Sequence, residues 1–292
     1  MPPSGLPPAP NAQVLHLVAA LSSPENHALH MEAIKARDQA LSASPESYGN
    51  LATQLSYLLV GSDRPVDMLQ RMDPSQLEAW RQSDPTTVVR LQQDQTMWVD
   101  FGQMAGLILK QALLRPPLLP DGRPLYLISP AAEHVKEVLL FALACEHSEL
   151  RAVASSVIAT SAVSPDAVQP ALYIRAWPEL LQNLLHNMQQ CRNPYVAEGS
   201  LSTIRKIMED GPSELSQEQL DTLIPILVKF LSAPDDKPKV SALQSIVACL
   251  TGGLMPSALV AYFGDYLAGL SSLASDPSIS VRKWVCRSIV TL

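Results

Sequence analysis

Aromatic residues are scarce in this 292-residue chain, at 5%, and so is charge, at 17%. With few aromatics and no period-2 alternation of β-branched residues, a β-sandwich is not supported. Lys and Arg number 21 against 28 acids, a net charge of −7. No basic patch of the kind a phosphate backbone requires is visible, so nucleic acid is not an expected partner. The four cysteines, Cys145, Cys191, Cys249 and Cys286, lie far apart with no CxxC and no His pair at ligand spacing. They read as reduced thiols, not as a disulfide framework or a zinc site. The opening Met1-Pro-Pro-Ser-Gly-Leu-Pro-Pro has neither the charged nor the apolar region of a secretory signal. No apolar run approaches the roughly 18 residues of a membrane span, so no membrane association is expected.

Catalytic patterns are missing too. There is no GxGxxG, no GxxxxGK followed by Ser or Thr, and no GxSxG. His27 and His30 stand one helical turn apart, but Glu25 and Glu32 point off that face and no cysteine is near. They read as solvated histidines. Glu209 and Asp210 fall at a predicted helix end. No catalytic, cofactor or metal residue is assigned, and the chain is not expected to be an enzyme.

What is present is proline, 25 residues of it, and apolar spacing of helical period. Trp177, Leu180, Leu181, Leu184, Leu185 and Met188 form one stripe of an α-helix, with Pro178 suited to its first turn. Further stripes are Ala197, Leu201, Ile204, Met208; Leu220, Leu223, Ile224, Leu227, Phe230, Leu231; and Val240, Leu243, Val247, Leu250. Ser216 and Gln219 fit a capping box ahead of the second of these, and Pro225 inside it predicts a kink. Val281, Val285, Ile289 and Leu292 form the last stripe, with Asp276 expected as N-cap and Pro277 as first helical residue.

Short breaks separate these helices, which read as pairs, a first helix A and a second helix B. The predicted B starts at Glu149, Asn193, Lys237 and Ser278 are about 41 to 44 residues apart, inside the HEAT and armadillo range and outside the tetratricopeptide and ankyrin range. Two helices per repeat favour HEAT. Upstream, Tyr48–Val60 pairs with Asp94–Leu113, and Ala12–Leu21 with Pro24–Leu41. A separator at 61–93 reads as an insertion with one short helix, Pro74–Arg81. A proline-rich loop spans 115–129, and residues 1–11 are expected to be disordered. The expected fold is all-α, an α-α superhelix (solenoid) of about six HEAT repeats over 12–292. The last stripe stops at Leu292 without a C-cap signal, which predicts a fragment of a longer array. Trp98, Trp177 and Trp284 are expected in the core. Trp80, in the insertion, either packs back on the array or offers a partner an anchor; packing is favoured.

Particular strings then stand out: Ala105-Gly-Leu-Ile-Leu-Lys110, Trp177-Pro-Glu-Leu-Leu181, Glu198-Gly-Ser-Leu with Ile204-Arg-Lys-Ile-Met-Glu-Asp210, and Asp276-Pro-Ser-Ile-Ser-Val-Arg-Lys283 with Val285-Cys-Arg287. In this order the chain resembles the N-terminal arch of the transportin branch of the karyopherin-beta nuclear import receptors. The resemblance covers most of 12–292, patchily before Met97. It implies a receptor that shuttles between cytoplasm and nucleus through the nuclear pore, a monomer without cofactor. Its partners would be Ran-GTP, nucleoporins, and cargo proteins with proline–tyrosine nuclear localisation signals. Ran-GTP would sit on the concave B-helix face; cargo would sit on C-terminal repeats that this chain lacks. The separator at 61–93 departs from the family, which joins those helices briefly. The candidate Ran contacts are Lys110, which matches the lysine of the GLILK string, and Arg151, Glu198, Ser202, Arg205 and Lys206, from predicted exposure on B helices. The alternative is a generic HEAT scaffold without Ran dependence.

Overall fold

The computed structural model describes residues 11–22, 27–63, 73–83, 85–119, 121–163, 170–190, 193–254 and 256–292. Residues 1–10, Pro24 and Cys191 lie outside them, and with them the expectation for the N-terminus. Every regular element among the described residues is helical. Besides three single-turn 3-10 helices (Pro170–Leu172, Ile174–Ala176 and Pro212–Glu214), these are in chain order α1 Ala12–Ser22, α2 His27–Ser42, α3 Pro45–Gly61, α4 Pro74–Ser83, α5 Pro85–Gln93, α6 Gln95–Leu114, α7 Ala131–Ala142, α8 Ser148–Val163, α9 Glu179–Gln190, α10 Pro194–Asp210, α11 Gln217–Phe230, α12 Asp236–Thr251, α13 Ser257–Ala261, α14 Phe263–Leu273 and α15 Ile279–Thr291. No helix among the described residues is long and apolar enough to cross a membrane.

Packing groups the chain into two compact units, divided close to Trp177. In the first unit α3 packs on its partner α6 and on the next first helix, α7. In the first pair the layers are exchanged relative to the sequence order: α1 lies against α6, and α2 against α3. The second unit is regular. α10, α12 and α15 lie side by side as one layer of B helices, and α11 packs on α13 and α14 as the other.

The stripes read from the sequence make these contacts. Leu180, Leu184, Leu201, Ile204, Leu220, Leu223, Leu227 and Leu243 are all buried, each worth about 1.5–3 kcal/mol relative to exposure. The capping box is present: Ser216 Oγ accepts from the Gln219 N–H at 3.2 Å, and Gln219 Oε1 accepts from the Ser216 N–H at 2.8 Å. α11 runs unbroken through Pro225.

Four expectations need correction. Helix α9 begins at Glu179, so Pro178 precedes the helix instead of occupying its first turn. α15 begins at Ile279 with Ser278 at its N-cap. The Asp276 carboxylate is drawn away by Lys239 of α12, 2.9 Å distant, and caps only the Ser278 N–H. Among its described residues the separator carries two helices, α4 and α5, where the sequence predicts one. β-branched Thr86, Thr87, Val88 and Val89 are poor helix formers, but Val88 and Leu91 lie one turn apart and are buried, and α5 packs on α6. There the Trp98 Nε1–H donates to the Leu91 carbonyl at 2.7 Å. Finally, Trp284 is half-exposed, although Trp80, Trp98 and Trp177 are core residues at 2%, 1% and 3% exposure. Trp80 packs back, on α4 against α1.

The proline-rich loop is irregular, as expected, apart from one antiparallel bridge between Leu118 and Pro124. Gly122 turns it at a φ of 80°, which a side chain would resist.

Candidate interaction face

The B helices carry the candidate contacts. In the first unit α6 and α8 approach closely because α6 shows glycine where they meet. A Cβ on Gly102 would stand 2.6 Å from Leu150 Cδ2, and one on Gly106 2.3 Å from Val153 Cγ1. Lys110, one turn further on, donates from Nζ to Ser156 Oγ of α8 at 2.8 Å. Positions 102, 106 and 110 recur every fourth residue, so they share the face that meets α8. The lysine of the GLILK string thus bridges two neighbouring B helices and is half-buried.

Arg151 is not the exposed contact that its place on a B helix suggested. It is 5% exposed, and its guanidinium donates from Nη1 to the carbonyls of Cys145 at 2.7 Å and Glu146 at 2.8 Å. Arg282 repeats this on α15, donating to the carbonyls of Asp276 at 2.7 Å and Pro277 at 3.0 Å. In both repeats an arginine in the first turn of the B helix reaches back five and six residues and ties down the loop that enters it. Buried carbonyls need such donors, because an unmet one loses its hydration without replacement. Arg151 is therefore a fastener of the repeat. The signal was in the sequence: Arg151 and Arg282 hold the same position in their repeats, and the second belongs to the Asp276-Pro277 string.

The other four candidates lie on α10 in the second unit. Glu198, Ser202, Arg205 and Lys206 fall at i, i+4, i+7 and i+8, one stripe that Glu209 extends, and all four are half-buried. Arg205 grips Glu209 through Nη1 at 2.9 and 2.7 Å. Glu198 reaches across to Lys237 of α12 at 3.4 Å. The stripe is thus a mixed-charge ladder along and between B helices. Such half-exposed pairs contribute about 0–1 kcal/mol each and exchange partners readily, which suits a surface that binds another protein.

Asp276 is held below the usual carboxylate range, chiefly by the hydrogen bond from Lys239 and then by the Ser278 N–H. Asp221 of α11 is lowered likewise, by the Ser257 hydroxyl first and then the Ala258 N–H, as it caps α13. Burial raises the Cys249 thiol to about 11. These are groups of the scaffold between helices, and none sits among convergent polar side chains. No cluster of three or more His, Cys, Asp or Glu able to hold a metal occurs among the described residues.

No protein-family profile matches the chain. Three curated proteins are similar to it. Transportin of Dictyostelium discoideum is 36% identical over 121 residues, 40% of this chain and 13% of that protein. Transportin-1 of Oryza sativa subsp. japonica is 30% identical over 190 residues, 62% of this chain and 19% of that protein. Importin subunit beta-2 of Schizosaccharomyces pombe is 27% identical over 199 residues, 66% of this chain and 20% of that protein. The matched region thus spans a fifth or less of each of these relatives. The similarity supports a relationship with the karyopherin-beta family. Among solved structures, a designed armadillo repeat protein in complex with the peptide (KR)4 is 18% identical, with 95% of this chain and 98% of that one covered at a TM-score of 0.43. An engineered protein is 15% identical, with 95% and 97% covered at a TM-score of 0.46. At these scores neither structure bears on function.

Proposed function

We propose that this chain is the part of a karyopherin-beta-type nuclear transport receptor that binds Ran in its GTP form. The observation that carries the reading is the similarity to two transportins and an importin beta-2 over as much as 66% of the chain. Stacked helix pairs with polar stripes on their B helices are the kind of scaffold such a receptor needs, since each repeat touches only its neighbours and offers continuous surface to a partner. Ran's switch regions take their binding form only with GTP. A ladder of half-exposed pairs such as Glu198–Lys237 and Arg205–Glu209 can open to meet them, with Ser202 and Lys206 on the same stripe; Lys110 is a separate candidate contact in the first unit. Arg151 acts by holding its repeat in shape. Nucleoporins, cargo with proline–tyrosine signals and shuttling between cytoplasm and nucleus belong to this proposal.

The test is capture of the chain on Ran loaded with a non-hydrolysable GTP analogue against Ran loaded with GDP. Retention with the GTP form alone supports the reading, and an R205E/K206E variant should then lose most of it. Equal or absent retention refutes it. One observation favours the second reading, a repeat scaffold without Ran dependence: Arg205 and Lys110 already have partners within the chain. Nucleotide-independent capture of other proteins would be its mark.

A further inference from the structure

In the second unit α12 and α15 leave a cleft of about 700 Å³ between them, which Glu209 and Pro212 also line. α12 lines it with Gln244, Val247 and Thr251, and α15 with Lys283, Trp284 and Arg287. Thr251 spends its hydroxyl on the Val247 carbonyl, 2.9 Å away. Gln244 and the Trp284 indole N–H make no hydrogen bond among the described residues, so both remain available.

The charge of this cleft is one-sided. Lys283 and Arg287 are exposed, one helical turn apart, and neither has a carboxylate partner among the described residues. Like charges at that spacing oppose each other. The one acid at the cleft, Glu209, is already held by Arg205 at 2.7 Å. On a chain of net charge −7, two uncompensated cations flanking a half-exposed indole are a local reversal of sign. An indole supplies a large rigid apolar face with a donor at its edge.

We propose that this cleft binds an acidic peptide segment carrying one apolar or aromatic side chain. That side chain lies on Trp284, flanking carboxylates meet Lys283 and Arg287, and Gln244 with the indole N–H takes backbone groups of the peptide. A single strand of nucleic acid also joins bases to aromatics and phosphates to cations, but it needs a basic groove several nucleotides long. Two cations on an acidic chain favour the peptide. The inference goes beyond the transport reading: its binding groups stand on α12 and α15, and it adjoins the proposed Ran-binding ladder at Glu209.

Tryptophan fluorescence tests it on the full chain. Trp80, Trp98 and Trp177 are 1–3% exposed, so acrylamide quenching reports chiefly on Trp284. The probe is a short synthetic peptide with phenylalanine centred among aspartates and glutamates. It should protect the indole from acrylamide and give a saturable heat of binding. The double variant K283Q/R287Q changes only exposed side chains and should weaken binding about tenfold or more, with an unchanged far-ultraviolet circular dichroism spectrum. W284A should do the same. A peptide with lysine in place of its acids should not bind. Unchanged quenching, binding indifferent to K283Q/R287Q, or equal binding of an oligothymidylate would each overturn the proposal.

Discussion

Replacing Gly106 by alanine tests the close approach of α6 and α8 in the first unit. Alanine is the better helix former, by about 1 kcal/mol in an exposed helix interior. Here its Cβ would stand 2.3 Å from Val153 Cγ1 and 3.3 Å from Leu59 Cδ1. Carbon atoms settle about 3.5–4.0 Å apart, so more than an ångström must be found. Leu59 can yield at its flexible end. Val153 cannot, because valine in a helix holds one preferred rotamer, and α8 must move off α6 instead. Overpacking of this kind costs about 1–3 kcal/mol. Set against the propensity gain, the net is a loss of up to about 2 kcal/mol, which at its upper end is several degrees in Tm for a unit of this size. Gly264 in α14 is the control, since a Cβ there meets nothing within 4 Å; G264A should be neutral or stabilise by up to about 1 kcal/mol. Urea unfolding of the two variants, followed by circular dichroism, should give opposite signs. Adding V153A to G106A should recover part of the loss, a coupling of about 1 kcal/mol. A G106A variant as stable as G264A would refute the close approach of α6 and α8.

Three further outcomes follow from the same geometry. Arg151→Met removes both donors from the carbonyls of Cys145 and Glu146 and should cost about 2–4 kcal/mol in urea unfolding; the partly exposed Arg282 should cost less. The lowered Asp221 and Asp276 carboxylates stabilise the fold fully above their unfolded value of about 3.9. That stability is lost as pH falls through their lower folded values, so D221N and D276N should flatten the fall of Tm below about pH 4 while lowering Tm at neutral pH. Cys249, buried and raised to about 11, should resist iodoacetamide at pH 8 until the chain unfolds. Exposed Cys286 should react at once, as peptide mass spectrometry would show.

Periodicity and punctuation carry the local structure because helix stripes and caps are encoded within a few residues. The Leu180–Leu184 and Leu201–Ile204–Met208 stripes, the Ser216 box and the B starts near Glu149, Asn193, Lys237 and Ser278 are all legible without a fold. So is the all-α repeat class, since two-helix units at that spacing have one economical way to bury their apolar faces. What needed the tertiary structure was every question of what a residue meets across helices. Helix α5 forms from weak helix formers because α6 and Trp98 bury Val88 and Leu91. The exchanged layers of α1 and α2 follow from which helix each can cover. Arg151 looked exposed on a helix wheel because the wheel carries no record of the loop five residues back whose carbonyls it satisfies. Trp284 looked like core because hydrophobicity is a property of the residue, whereas burial depends on whether a neighbouring helix stands over it, and the space between α12 and α15 leaves it half in water.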